Sequence, residues 1–400
     1  MGAKNLERAL PLWALENTRL EDPMIFLTGP RQVGKTHLTK KYSSAYFNWD
    51  TPEVKNLWLR DKTFYKGSED LVIFDEIHKR RDWKKIMKGV YDDPKRKENF
   101  LVTGSGRFDF FQKGGDSLQG RYFSYQLFPL MPAEIHASIN IKTQPSAPRD
   151  WKTWRPHSKD HESDKELIEL GGFPAPFLKG SKTWLRRWQD EYIQRLTRED
   201  VRDLSSVQRL DALDLLARLL PERVGSPLSI QSLSEDIDVS HVATKSWLRI
   251  LEILYLGFRI KPFHRKIHRA VKKEQKWYFY QWTFVRDPSL RFENYIATQL
   301  AAACAAWSEQ GHGVWELCYL RDQDRREVDF VIVKDLKPQV LIEAKTSPQE
   351  WTSSLNFFTR KLQIPGILVY PEGPTRRVDE RGWSLSSTKL LQDLIVKTCR

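Results

Sequence analysis

The octapeptide GPRQVGKT at 29–36 constrains this chain more than any other feature. It fits the pattern G-x-x-x-x-G-K-[ST], and its surroundings fit too. The apolar run Met24–Leu27 enters it as a strand, and HLTKKY leaves it as a helix. Gly29 and Gly34 let the backbone turn without a Cβ clash, so successive N–H groups can face phosphate oxygens. The helix that starts there adds the positive end of its dipole. Pro30, Arg31, Gln32 and Val33 fill the loop, and Arg31 offers a further charge. Lys35 is placed to reach the β- and γ-phosphates of ATP, and the Thr36 hydroxyl to ligate Mg²⁺. MIFLTG, LVIFDE and FLVTGS alternate with polar, helix-compatible stretches across 24–136, which is how buried parallel strands with crossover helices read.

LVIFDE at 71–76 supplies the second half of such a site. The strand ends in Asp75, expected to hold Mg²⁺ through water, and Glu76, expected to activate the attacking water as general base. FLVTGS at 100–105 places Thr103 or Ser105 where a γ-phosphate can be sensed. An arginine that neutralises transition-state charge has three candidates, Arg107, Arg121 and Arg198, of which Arg121 in LQGRYFSYQLFPL is the best placed. An arginine donated in trans would require a homo-oligomer.

A second constellation lies near the C-terminus. RREVDFVIV at 325–333 and PQVLIEAK at 338–345 read as adjacent strands carrying Asp329, then Glu343 and Lys345. Residues i and i+2 of a strand share a face, so Glu343 and Lys345 project together. Upstream, SLRFENYIATQLAAACAAW is strongly helix-forming, with Glu293 in its first turn. Two carboxylates and a lysine suit metal-dependent phosphodiester hydrolysis. Asp329 and Glu343 would hold Mg²⁺ or Mn²⁺, Glu293 would complete the shell, and Lys345 would orient water or stabilise developing charge.

Between these sites, 138–164 reads as a polar, Pro-containing linker or insertion. Residues 183–220 have helical periodicity, with Trp184, Leu185, Trp188, Tyr192, Ile193 and Leu196 on one face. Residues 228–260 read as a helix-turn-helix with a third helix or wing, capped at Ser232 or Ser234, which would bring Lys245, Trp247 and Arg249 near a DNA groove. The run 261–276 has nine Lys, Arg or His against the single acid Glu274. With a net charge of +13, it favours a polyanionic partner, DNA before RNA. Three cysteines without metal or disulfide spacing, no signal-peptide pattern and no long apolar stretch lead to the expectation of a cytoplasmic protein without a membrane partner.

With these residues in hand, the chain resembles the prokaryotic AAA-type ATPases that carry a C-terminal DUF4143 domain. The matching pieces, in order, are GPRQVGKT, LVIFDEIHKRRDW, LVTGSG, LQGR followed by FPLMPAEI, GGFP at 171–174, DEYIQRLTREDVRDL, SLSEDIDVS, FEN at 292–294, REVDFVI and LIEAK. Ala175 after GGFP, Arg291 before FEN and the YQW near 280–282 depart from the usual pattern. The resemblance implies an α/β chain in three parts: a P-loop AAA-like ATPase core, a helical and winged-helix middle segment, and a restriction-endonuclease-like domain of PD-(D/E)XK type. It assigns Lys35, Thr36, Asp75 and Glu76 to ATP and Mg²⁺, and Glu293, Asp329, Glu343 and Lys345 to the nuclease-like set. The expected divisions are 1–137, the linker 138–164, then 165–265 and 266–400. The expected function is nucleic-acid processing in which ATP turnover gates the nuclease-like domain, in defence or mobile-element control. Its rivals are a non-cutting ATP-driven DNA-binding switch and a signalling ATPase acting on a protein partner.

Overall fold

The structure is a computed structural model that describes residues 8, 24–80, 82–106, 118, 120–135, 147–148, 150–156, 163–204, 207–264 and 274–394. Arg107, most of the linker 138–164 and residues 265–273 of the basic run lie outside the described residues. The chain divides into two compact units. One comprises Arg8–Phe128 with Ile253–Tyr255, and the other is built mainly from Pro129–Glu252 and Leu256–Arg400.

In the first unit, strands β1 (Met24–Thr28), β2 (Tyr46–Asn48), β3 (Leu71–Asp75), β4 (Asn99–Gly104) and β5 (Tyr122–Gln126) form one sheet of order β2-β3-β4-β1-β5. Every pairing in it is parallel. Helices α1 (Lys35–Thr39), α2 (Pro52–Arg60) and α3 (Trp83–Tyr91) connect the strands. All five residues of β1 and of β3 are buried, as expected of strands covered on both faces. The α3 helix buries Trp83, Met87 and Val90, the i, i+4, i+7 stripe of an amphipathic helix. These side chains join Phe26, Trp58, Phe74 and Phe100 in one largely aromatic core. The phosphate loop leaves β1 at the carboxyl edge of this sheet, the edge where open parallel sheets bind their ligands.

The second unit begins with helices α4 (Pro132–Ile135), α5 (Lys165–Leu170), α6 (Pro174–Lys179) and α7 (Lys182–Arg195). The last runs through a π turn into α8 (Val201–Leu204), and α9 (Leu210–Leu219) follows. The α7 stripe buries Leu185, Trp188, Tyr192 and Ile193, with Leu196 just beyond, while Trp184 stays half-buried. Next come α10 (Ile230–Asp236) and α11 (His241–Ile253). The expected caps Ser232 and Ser234 lie inside α10. The cap is Ser229, whose hydroxyl accepts from the Ser232 N–H at 3.2 Å. Lys245 and Arg249 are exposed on α11, but Trp247 is only 8% exposed and belongs to the core, so it is not available to a groove.

The remaining strands are β6 (Gly257–Pro262), β7 (Lys276–Phe279), β8 (Trp315–Arg321), β9 (Glu327–Lys334), β10 (Lys337–Ala344), β11 (Gly366–Tyr370), β12 (Arg376–Val378) and β13 (Gly382–Ser386). They form a mixed sheet of order β12-β13-β11-β10-β9-β8-β6-β7. Helices α12 (Pro288–Glu309), α13 (Ser353–Leu362) and α14 (Ser387–Asp393) complete the unit. The ribbon after α11 is thus the edge of the C-terminal sheet: β6 runs parallel to β8 and antiparallel to β7. The division expected at 265/266 falls between these two paired strands. Asn294 of α12 binds β7 from both sides, accepting from Phe279 N at 2.9 Å and donating to Phe279 O at 2.7 Å. That clamp fixes the neighbouring Glu293 over the start of β7.

Candidate functional site

The phosphate loop owes its shape to two backbone features. Gly29 has φ 145°, and a Cβ there would stand 2.3 Å from the Leu127 carbonyl oxygen, so only glycine lets the loop leave β1 beside β5. Gln32 (φ 63°) and Gly34 (φ 105°) take left-handed conformations, which turn successive N–H groups toward one side. Lys35 is buried and donates to the Gly29 and Pro30 carbonyls at 2.8 and 2.9 Å, folded back over the cradle it is expected to serve. Arg31 and Val33 lie within the same loop. Arg8 donates from its guanidinium to Val33 O at 2.6 Å and also to Phe128 O.

Asp75 and Glu76 close the site from β3. The Thr36 hydroxyl donates to Asp75 Oδ2 at 3.0 Å, which joins the two expected Mg²⁺ residues directly. Strand β4 lies between β1 and β3, with Thr103 level with both Leu27 and Asp75, and the Thr103 hydroxyl donates to Asp75 Oδ1. Ser105 donates to Glu76 Oε2 at 3.3 Å. Glu76 itself is left-handed (φ 56°), a strained position for a side chain of its size and one that turns it away from the run of the strand. Burial raises its carboxyl above the ordinary range, with Asp75 and Asp50 adding to the rise while Lys35 and Lys79 oppose it. A carboxylate held higher than usual is a better proton acceptor.

Two members of this cluster carry no motif signal. Tyr46, from β2, donates its hydroxyl to Asp75 Oδ2, and burial together with Asp75 pushes its own proton loss well up. His78 stands 3.6 Å from Glu76 Oε2, but burial, with Lys79 and Lys35 nearby, pushes it down to about 3, so it is neutral at pH 7. A hydroxyl at the head of a short edge strand and a histidine two residues past the acidic pair are the only traces either leaves in the sequence. Arg121 requires a correction. It precedes β5 at the amino edge of the sheet, where Met24 N donates to its carbonyl, and its guanidinium forks onto Asp92 at 2.8 and 3.2 Å. The length of β1 separates it from the loop, about 13 Å at strand rise, so it does not serve the phosphate loop of its own chain.

The C-terminal set gathers at the end of β10. Ile342 pairs with Phe330, so Glu343 and Asp329 follow side by side on neighbouring strands. Asp329 Oδ2 accepts from Ala344 N at 2.9 Å. Glu343 accepts from the Thr352 hydroxyl at 2.6 Å and lies 3.0 Å from Lys345 Nζ. Burial raises Glu343. It works against the Lys345 ammonium, but Asp329 and Glu343 outweigh it and hold that lysine charged. Glu293 faces a different group of donors: the Tyr278 hydroxyl at 2.6 Å and Lys276 Nζ at 3.5 Å. Lys276 is fully buried, with Glu327 at 2.6 Å as its nearer partner. Burial and the Asp329 charge push Glu293 up to about 7 despite Lys276.

In this geometry the residues of the expected metal shell meet protein donors. Glu293, Asp329 and Glu343 are each turned onto protein donors, and among the described residues no group of three or more His, Cys, Asp or Glu side chains is arranged to hold a metal ion. The missed residue is Lys276, and its signal was present: a lysine heading the strand KWYF, whose other three positions are aromatic and buried.

Family comparisons match three stretches of the chain. Residues 21–136 match an AAA domain, 162–285 a domain of unknown function (DUF8612), and 291–390 a domain of unknown function (DUF4143). Uncharacterised proteins of Mycobacterium bovis and Mycobacterium tuberculosis are each 22% identical over 369 residues, covering 87% of this chain and 76% of theirs. Among solved structures, a STAND signal transduction ATPase with a tetratricopeptide-repeat sensor from Pyrococcus horikoshii aligns at 15% identity and TM-score 0.28, over 77% of this chain and 48% of that one. The Drosophila origin recognition complex bound to AT-rich DNA and Cdc6 aligns at 8% identity and TM-score 0.21, over 72% and 90%. At these TM-scores neither likeness bears on the fold, and the chain spans about half of the STAND protein. Among the described residues no helix is long and apolar enough to cross a membrane. The chain therefore carries a nucleotide-binding, AAA-type P-loop ATPase domain over 21–136 and a DUF4143 domain over 291–390.

Proposed function

We propose that the first unit hydrolyses ATP with Mg²⁺ and that the second acts on nucleic acid, DNA foremost, under the control of that turnover. The observation that carries the first half is the 3.0 Å contact between Thr36 and Asp75, with Glu76 buried beside it. On ATP binding, Lys35 leaves the Gly29 and Pro30 carbonyls for the β- and γ-phosphate oxygens. Thr36 and Asp75 are the residues that would hold Mg²⁺, whose charge offsets that of the phosphates. Glu76, raised by burial, takes the proton of the attacking water. Ser105 and Thr103, each bonded to one of the two carboxylates, couple a change at the γ-phosphate to strand β4.

Phosphate release by the full chain tests this reading. Lys35→Ala loses ATP binding, and Glu76→Gln keeps binding while turnover falls by about 10²- to 10⁴-fold, the usual worth of a general base. Turnover by Glu76→Gln at the parent rate would remove Glu76 from the chemistry.

The second half rests on the nearness of Asp329, Glu343 and Lys345 at the end of β10. A Mg²⁺ or Mn²⁺ ion there would have to displace the Thr352 hydroxyl and the Ala344 N–H from these carboxylates. Cutting of linear, circular or single-stranded DNA that disappears in Asp329→Ala supports a gated nuclease. Binding without cutting supports the ATP-driven switch. An arginine finger contributed by a second copy would add a homo-oligomer.

A further inference from the structure

The carboxylate set is not the only concentration of charge in the second unit. At the other end of α13, a pocket of about 520 Å³ is lined by Lys152, Arg360, Arg377 and Arg381, with Glu380 as its one acid. Its floor is Gln363–Pro365, where a left-handed Gln363 (φ 56°) ends α13 and turns the chain into β11. Lys152 arrives from the segment 150–156, and the two remaining arginines from the hairpin β12–β13, so three separate stretches of chain converge their cations on one hollow.

Two of these arginines are already oriented. Arg381 is tied to Asp379 Oδ2 at 2.8 Å through Nε and to Asn356 Oδ1 at 3.2 Å through Nη1. Arg377 Nε donates to the Asp379 carbonyl at 3.1 Å. Asp379 balances Arg381 and Glu380 one further charge, which leaves the pocket with a net excess of about two positive charges. Among the described residues Lys152 has no ion-pair partner, and Arg360 stands near enough to Asp379 to share its charge with Arg381. Lys152, Arg360 and Arg377 are exposed and Arg381 is half-buried, so these cations stand open to an anion arriving from solvent. Guanidinium groups in such a setting favour phosphate oxygens, which they can bind in a two-pronged fashion.

We propose that this pocket holds backbone phosphates of a nucleic-acid strand, at a fixed distance from the carboxylate set. The inference rests on the nucleic-acid reading above and adds where the strand lies. The α13 helix links the two places. Its N-cap Thr352 bonds Glu343, and its last turn carries Arg360. Ten helical residues span about 15 Å. A strand seated in the pocket therefore has about 15 Å to cover before it reaches Glu343.

Fluorescence anisotropy of a labelled single-stranded DNA 20-mer, with the full chain at several salt concentrations, tests this. Arg360→Ala/Arg377→Ala weakens binding and lowers the slope of log K against log salt by about 1.4, two phosphates at about 0.7 each. Lys152→Ala alone lowers it by about half as much. An unchanged slope in the double variant, with parent binding intact, overturns the pocket assignment alone. No binding by the parent chain at low salt overturns the nucleic-acid reading itself. Displacement of the 20-mer by AMP at equal phosphate concentration would make this a mononucleotide pocket and refute the strand. Circular dichroism of the variants, superimposable on the parent, excludes misfolding as the cause of any loss.

Discussion

Replacing Glu293 by Gln tests whether the second unit stores a buried charge conflict. In the folded chain burial and Asp329 push this carboxyl up to about 7, from an ordinary value of 4.5. Below pH 4.5 the group is protonated in both folded and unfolded chains. Between 4.5 and 7 the folded chain keeps the proton that the unfolded chain releases, so stability falls as pH rises, and the loss is complete above 7. The full change is about 3 kcal/mol at 1.36 kcal/mol for each pH step. Glutamine cannot ionise and still offers an oxygen to the Tyr278 hydroxyl. Lys276 keeps Glu327 at 2.6 Å. Urea unfolding followed by tryptophan fluorescence at pH 5, 6, 7 and 8, in EDTA, should show the parent losing stability over that range. The Glu293→Gln curve should be flatter by up to about 3 kcal/mol between its ends. Parallel pH profiles for the two proteins would refute the assignment of this charge to Glu293.

Three further changes probe the first unit and one the second. Tyr46→Phe removes one of three hydroxyls from buried Asp75, and thermal unfolding without nucleotide should record a loss of about 1.5–3 kcal/mol, the range for a hydrogen bond to a charged group. Gly29→Ala forces a Cβ to within 2.3 Å of the Leu127 carbonyl, so a binding titration with labelled ATP should find affinity lost and melting lowered by several degrees. Arg121→Ala removes the pair with Asp92 and the contact with the Tyr91 ring at the amino edge of the sheet, and phosphate release should stay within about two-fold of the parent. A hundred-fold fall would mean that Arg121 serves the site of another copy. Thr352→Val removes both the N-cap of α13 and a donor to Glu343, and urea unfolding should register a cost of about 1–2 kcal/mol.

The phosphate site was legible in the sequence because its parts are consecutive. A loop needing two glycines, a lysine and a hydroxyl in eight residues leaves few alternatives, and Asp75–Glu76 stands at the end of a strand too apolar to be anything else. Tyr46 was not legible, because its role comes from β2 lying next to β3, a neighbour relation set by sheet order rather than by spacing. The place of Arg121 was not legible for the related reason that strand direction decides which edge a residue occupies. The C-terminal set was legible in its pairing and not in its coordination. Alternation put Glu343 and Lys345 on one face, but whether a carboxylate meets a metal or a protein donor depends on residues such as Thr352, Tyr278 and Lys276, which come from elsewhere in the chain.

The two carboxylate clusters meet the cost of burial differently, and that difference sets what each can bind. Asp75 is satisfied by three neutral hydroxyls, and one of them, Thr36, is itself a metal-binding group. A divalent ion entering there displaces no ammonium from Asp75, and Lys35 and Lys79 stand instead beside the neighbouring Glu76. At the other cluster the compensating charge is covalent: Lys276 lies between Glu327 and Glu293, and Lys345 lies against Glu343. An ion entering there must compete with ammonium groups that cannot diffuse away, and the repulsion is felt at low dielectric. Manganese titrated in the presence of ATP should therefore fill the first site well before the second, with a clear separation between the two steps in Mn²⁺ spin-resonance signals. Lys345→Met should narrow that gap by strengthening the weaker step, while Lys35→Ala should abolish the stronger one. If Lys345→Met leaves the weaker step where it was, the lysines do not oppose metal entry, and the carboxylates are held closed by their hydroxyl and N–H donors instead.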